Sequence, residues 1–310
     1  MALAYNFPGM LRNPFDTKDF TYTGESIYVN DKGGNWRLKF LSSGVFTPSK
    51  DVVVDIFAVG GGGGGSGGVY TKYQTIYTSA GGGGGHTKTV ASQSLTAGTA
   101  YTITVGSGGT GGANNGGAAK DGSASSFATL CTANGGGGAK TKSGDYMKGG
   151  NGGSGGAGAM NYKTGTEGTD YVTNSTGYSG GYDGSDGKGV RLNGTGQGTT
   201  TREFGESSGE LYAGGGGNGA VMKYENNEWR IAAMATSGGE GGGSYGRLLY
   251  TSNGVPTYTD ANGWASTGGG GGGGLTSNGN ADSSFTTAAA SAVGGAGGSG
   301  IVIIRNAREQ

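Results

Sequence analysis

Proline is scarce in this chain, with 4 residues in 310, and cysteine and histidine occur once each. A single Cys131 excludes an internal disulfide framework, and its setting in the strand-like run SSFATLCTA reads as that of a small buried hydrophobe. One histidine, His86, and one cysteine cannot assemble the usual ligand set of a transition-metal site. A Ser-His-Asp triad would have only His86 to draw on. No enzymatic activity, cofactor or metal is expected. Net charge is also missing: 21 basic residues balance 21 acidic ones, so neither nucleic acid nor an anionic membrane is an expected partner. No apolar stretch reaches membrane-spanning length. The N-terminus MALAYNFPGMLRNPFDTKDF lacks the basic-then-apolar order of a secretory signal. The expectation is a soluble protein made in a cytoplasm.

Glycine takes up what the other residues give up. It accounts for 78 positions, while the hydrophobic residues make up 32%, low for a conventional core. The glycines fall in runs at Gly60–Gly68, Gly81–Gly85, Gly135–Gly138, Gly149–Gly158, Gly214–Gly219, Gly238–Gly243, Gly268–Gly274 and Gly294–Gly300. Collagen would need glycine at every third residue and abundant proline, so it is excluded. Flexible linkers are a second reading. Against them stand the many similar tracts and the wealth of aromatics (17 Tyr, 9 Phe, 3 Trp), which disordered chains lack. The third reading is a packed bundle of polyglycine II helices. Such helices are three-fold and extended, rise roughly 3.1 Å per residue and make no internal hydrogen bonds. Their backbone groups must bond to neighbours, and glycine lets those neighbours come close.

Strand signals frame the tracts. In Asn35–Phe40, Trp36, Leu38 and Phe40 alternate with Arg37 and Lys39. Asp51–Val59 is apolar on both faces and runs into the first glycine tract. Thr87–Ala91, Tyr101–Val105 and Ser125–Thr132 follow, and Ile301–Arg305 (IVIIR) reads as a central strand. The fold class is therefore mainly β and irregular: a small antiparallel β-sandwich continued by a polyglycine II bundle with long aromatic-rich loops.

Residues 1–23 read as an extended arm, in which Phe7, Met10, Leu11 and Phe15 are too apolar for a solvated tail. They lie either on the protein's own surface or on a partner subunit, and subunit attachment is the role assigned to them. Residues 24–310 form one domain with loop insertions at 69–80, 139–148, 159–213, 220–237 and 244–267. Loops on a rigid scaffold carry function, and Tyr and Trp give contact area at low entropic cost. The candidate receptor-binding residues are Tyr70, Tyr73 and Tyr77 in one loop, Tyr224 and Trp229 in a second, and Tyr250, Tyr258 and Trp264 in a third. The bland alternative is that these rings pack over the bundle's end.

Two motifs are set aside. VVVDIFAVGGGGGGSGG resembles a dinucleotide fingerprint, but no helical pattern follows to hold a pyrophosphate. GGYDGSDGK, with Asp183 and Asp186, occurs once and lacks the repeat that would stack a calcium site.

The blocks FTPSKDVVVDIFAVGGGGGGSGG, TAGTAYTITVGSGGTGG, SSFATLCTANGGGG and the closing GGAGGSGIVIIRN together resemble the glycine-rich domain of bacteriophage tail proteins. More loosely, glycine tracts alternating with aromatic loops are similar to the tip adhesins of T-even-type long tail fibres. There, polyglycine helices present variable loops to the host receptor. The short N-terminal part and the framing strands depart from those adhesins. The resemblance implies a virion protein of the distal tail that contacts a bacterial surface, through a polysaccharide or an outer-surface protein, with other tail subunits held by the arm. Two alternatives remain: a purely structural virion component whose loops touch other subunits, and an antifreeze protein, which would need a flatter face.

Overall fold

The computed structural model describes residues 15–68, 70–71, 75–77, 79–114, 116–140, 148–158, 161–164, 170–173, 201–225, 228–233, 235, 237–247, 249–252, 255–258, 260–278 and 293–307. Five strands open the chain: β1 Phe20–Tyr22, β2 Ser26–Lys32, β3 Asn35–Phe40, β4 Gly44–Pro48 and β5 Val52–Val59. Then come β6 Tyr70–Thr71, β7 Thr75–Tyr77, β8 Thr87–Leu95, β9 Tyr101–Thr104, β10 Ser125–Phe127 and β11 Cys131–Ala133. The later strands are β12 Asn161–Thr164, β13 Asp170–Thr173, β14 Val221–Glu225, β15 Glu228–Ala233, β16 Leu249–Ser252, β17 Val255–Tyr258, β18 Thr276–Asn278 and β19 Ile301–Asn306. No α-helix occurs among the described residues, and Glu203–Gly205 makes one 3-10 turn.

Two five-stranded antiparallel sheets, β1-β4-β9-β10-β11 and β2-β3-β19-β5-β8, form the sandwich. The alternation read in β3 sends Trp36, Leu38 and Phe40 inward and leaves Arg37 and Lys39 half-buried on the other face. β19 is central, as its apolar run requires: Ile304 pairs with Leu38 on one side and Ile56 on the other. Between the sheets, Phe40, Phe46 and Phe127 meet with ring centroids 5.6–6.2 Å apart. Cys131 lies in this core, where burial pushes its thiol up to about 11.

The end of the N-terminal arm belongs to the sandwich. β1 pairs with β4, and Phe15 is buried, stacked on Trp36 at 4.5 Å and on Phe20 at 5.8 Å. The assignment of Phe15 to subunit attachment is thereby corrected, because its apolar surface is consumed within its own chain. Phe7, Met10 and Leu11 lie outside the described residues.

The outer face of the second sheet carries Phe57, Val59, Ile301 and Ile303, and residues 201–213 cover it with Phe204, Tyr212 and Ala213. Sequence patterning puts this strap in a loop; it is fastened by ion pairs instead. Glu203, fully buried, meets Arg37, Lys39 (2.6 Å) and the Tyr212 hydroxyl (2.7 Å). Arg305 donates to Asp55 at 3.0 Å and to Glu206, and lies over the Phe204 ring at 4.1 Å. Burying such charges is tolerated only because each is paired.

The glycine tracts pack as a three-fold lattice. In the tract 60–68, the N–H groups of Gly60, Gly63 and Ser66 donate to His86, Gly83 and Ala80. Those of Gly61, Gly64 and Gly67 donate to Ser123, Lys120 and Gly117, and those of Gly62 and Gly65 to Gly298 and Gly295. Each neighbour is met at every third residue with descending numbers, so these three tracts run antiparallel. The carbonyls of 60–68 are taken by three further tracts in ascending order: Gly61 and Gly64 by Gly136 and Ala139, Gly62 and Gly65 by Gly109 and Gly112, Gly63 and Ser66 by Gly271 and Gly274. One glycine helix thus sits inside a ring of six. A three-residue period with every bond external is the signature of polyglycine II packing.

Candidate binding face

Strand order fixes the polarity of the bundle. β5, β9 and β11 run from the sandwich into tracts 60–68, 106–112 and 134–139, while tracts 79–86, 117–123 and 294–300 return into β8, β10 and β19. The sandwich therefore closes one end. At the other, tracts 60–68, 268–275 and 214–220 continue into β6, β18 and β14, which pair in parallel. Tyr70 is aligned with Ser277, and Ser277 with Met222. β15 adds to β14, giving the sheet β15-β14-β18-β6. Beside it stand the sheet β13-β12-β7 and the hairpin β16-β17.

This distal end is where most of the candidate contact residues fall. Tyr224 and Trp229 are cross-strand partners at the tip of β14 and β15. Tyr77 pairs with Asn161, Tyr250 with Thr257, and Tyr258 with Leu249. Residues far apart in sequence are brought to one end by backbone alone; the side chains of these positions, and Tyr73 altogether, lie outside the described residues. Asp183 and Asp186 lie outside them as well.

Trp264 is elsewhere. Its N–H donates to Gly242, and Gly263 beside it donates to Ala296. Gly298, two residues further along that tract, accepts from Gly62, close to the end of β5. Trp264 therefore sits on the bundle's flank toward the sandwich, 70% exposed. Residues 244–247 and 261–263, read from sequence as part of a loop, are outer members of the bundle: Ser244 and Arg247 donate to Gly270 and Gly273, and Ala261 accepts from Gly272. Tyr245, 63% exposed, lies on this flank too. It falls within the loop insertion read at 244–267 but is not among the candidate contact residues. The signal that could have promoted it is its place inside GGGSYGR, where a three-fold helix must turn one residue in three outward.

Among the described residues, ion pairs gather on the strap. Burial works against the Lys39 ammonium, but its bonds to Glu203 and Glu210 outweigh that and hold its pKa above the ordinary value. The Lys39 bond in turn holds the Glu210 carboxyl below its ordinary range. Burial, with Glu203 beside it, pushes the Tyr212 phenol far up. Paired in this way, the groups fasten 201–213 to the sheet. Burial lowers His86. Among the described residues, no group of three or more His, Cys, Asp or Glu side chains is placed to hold a metal ion, and no helix is long and apolar enough to cross a membrane.

No curated protein matches the chain. The family model described as glycine-rich domain matches residues 41–307, a span that takes in the sandwich from β4 onward, the bundle and the distal strands. The chain belongs to the glycine-rich domain family.

Proposed function

We propose that this protein is a receptor-binding adhesin at the tip of a bacteriophage tail or tail fibre, in which the glycine bundle holds aromatic-bearing strands out toward the bacterial surface. The observation that carries this reading is the conversion of three parallel glycine tracts into the sheet β15-β14-β18-β6 at the end away from the sandwich. A rigid stalk of backbone bonds spends its ordering cost on folding, so less is lost when a receptor is engaged. Tyr and Trp at the tip supply area with few rotatable bonds. Recognition without chemistry on the receptor is the role assigned.

Fluorescently labelled protein titrated onto a panel of bacterial strains tests this. Saturable binding to a few strains is expected. It falls at least about tenfold when Tyr224 and Trp229 are both changed to Ala, because binding energy concentrates in such anchors. Unchanged binding by that double variant removes the distal end from recognition. Absence of binding to every strain favours the purely structural virion component, with the loops as subunit contacts.

A further inference from the structure

Leaving a tryptophan largely in water forgoes about 1.5–3 kcal/mol of burial that a large apolar side chain can contribute. Trp264 is left out and yet is held firmly. Its N–H donates to Gly242 at 3.0 Å, and its C=O accepts from Thr267 Oγ1 at 2.7 Å. Two residues earlier, Asn262 Oδ1 accepts from the Ala296 N–H at 2.9 Å, and the Asn262 N–H bonds to Asp260 Oδ1 at 3.0 Å. The turn alternates: Asp260, Asn262 and Trp264 are exposed, while Ala261 is buried in the bundle and Gly263 is half-buried. With one oxygen of each tied to backbone, Asp260 keeps Oδ2 as an acceptor and Asn262 keeps its NH2 as a donor.

The bond from Trp264 to Gly242 sets this turn against the outer tract 238–247. Tyr245 stands three residues beyond Gly242, where the turn at 240–242 gives way to an extended segment whose Ser244 and Arg247 bond outward at three-residue spacing. The two positions therefore lie at most about 9 Å apart. The flank thus offers an aromatic plate, a second aromatic further along the tract, a carboxylate acceptor and an amide donor, all on cross-bonded backbone. Two rings separated by glycine are too little apolar surface for a standard protein interface of about 800 Å² per partner. They suit a small amphipathic ligand that has an apolar face and a polar rim.

We propose that Asp260, Asn262, Trp264 and Tyr245 form a binding site for a neutral, hydroxyl-rich oligosaccharide. A pyranose ring lays its C–H face on Trp264, its hydroxyls donate to Asp260 and accept from Asn262, and a sugar further along the chain meets Tyr245. This deepens the adhesin reading by giving it a second contact and a ligand class, and it rests on that reading only for the biological source of the glycan.

The test is calorimetric titration of the full chain with cellohexaose, chitohexaose, mannohexaose and maltohexaose, with tryptophan fluorescence followed in parallel. At least one sugar is expected to bind saturably, with loss of about tenfold or more in Trp264→Ala, a smaller loss in Asn262→Ala and Tyr245→Ala, and partial recovery in Trp264→Phe. Trp264 and Tyr245 are solvent-facing, so the melting temperatures of their variants are expected to hold, whereas Asn262→Ala also removes the acceptor of the Ala296 N–H and is expected to melt slightly lower. Failure of all four sugars to bind, or equal binding by Trp264→Ala, overturns the site. The paired Tyr224→Ala, Trp229→Ala variant separates the two readings: it keeps sugar binding if the flank site is real, whatever becomes of cell attachment.

Discussion

In the sandwich, cohesion lies in side chains: Phe40, Phe46, Phe127, Ile56 and Ile304 fill the space between two sheets. In the bundle, the same task falls to backbone. Gly63 donates to Gly83 at 2.8 Å and accepts from Gly271 at 2.9 Å, and no side chain intervenes. The sandwich draws on burial worth about 1.5–3 kcal/mol for each large side chain. The bundle gains about 0.5–1.5 kcal/mol net for each hydrogen bond, against about 1–2 kcal/mol of backbone entropy for each residue fixed. The bundle's terms nearly cancel. It therefore depends on the sandwich, whose strands fix the start and the direction of each tract. The two regions consequently fail in opposite ways, the sandwich by losing atoms and the bundle by gaining them.

The sharpest way to break this comparison is to add atoms to the bundle. A Cβ on Gly63 would stand 2.1 Å from the Gly137 carbonyl oxygen, and one on Gly271 would stand 2.2 Å from that of Gly295. Both obstacles are backbone locked in the lattice, so no side chain can swing aside. Gly63→Val and Gly271→Val are each expected to cost more than about 4 kcal/mol, read as a collapse of the thermal melt. Gly33, in the β2–β3 turn, has nothing within 4 Å of an added Cβ and differs only in its φ of +62°. Gly33→Ala is expected to cost about 1–2 kcal/mol, the strain of a left-handed backbone. If the two tract variants melt like the wild type, the tracts are not packed.

Removing atoms is the complementary test. Phe127→Ala opens a cavity in the fully buried core and is expected to cost about 3–5 kcal/mol. Glu203→Gln acts on the strap. It removes the charge shared by Arg37 and Lys39, though Arg37 keeps Asp31 and Lys39 keeps Glu210. The expected loss is about 2 kcal/mol, below the full cost of a buried unpaired charge because a second carboxylate remains for each cation. Chemical denaturation of the two variants ranks them; a Glu203→Gln loss as large as that of Phe127→Ala would make the strap part of the core.

How much of this was legible in the sequence follows from which forces act locally. β3 and β19 announced themselves because alternation and a doubly apolar run are local consequences of a half-buried and a central strand. The lattice was legible because glycine without proline leaves few ways to satisfy so many backbone groups. The strap was not. TREFGESSGELY has no period, and its place is decided by Arg37, Lys39 and Arg305, far away in sequence. Phe15 was misread for a related reason: Pro8 and Pro14 argue for an irregular arm, and nothing local says that Trp36 waits to stack on its last ring. For the candidate face, the clustering of Tyr224 with Trp229 followed from a hairpin, whereas the separation of Trp264 depended on which glycines pair with which.

The smallest expected effect compares the acid response of the two regions. In the bundle, Asp121 Oδ1 accepts from the Gly138 N–H at 2.7 Å and from Lys140 Nζ at 3.0 Å. The Gly138 bond, with Lys140 behind it, holds this carboxyl below its ordinary 3.8. On the strap, Lys39 does the same for Glu210, whose ordinary value is 4.5. A carboxyl lowered in the folded state adds stability above its unfolded pKa and loses it as pH falls through the folded value. Both groups are largely exposed, with side chains 63% and 66% accessible, so water screens each contribution to below about 1 kcal/mol. Asp121→Asn and Glu210→Gln are thus expected to melt slightly below the wild type at neutral pH. For Glu210→Gln the gap begins to close below 4.5, and for Asp121→Asn below 3.8. Melting curves of the three proteins from neutral pH down to acid check this. A gap that stays constant through that range would mean that the charge on Asp121 does not help hold tract 135–139 against 117–123, leaving the bundle to backbone bonds alone.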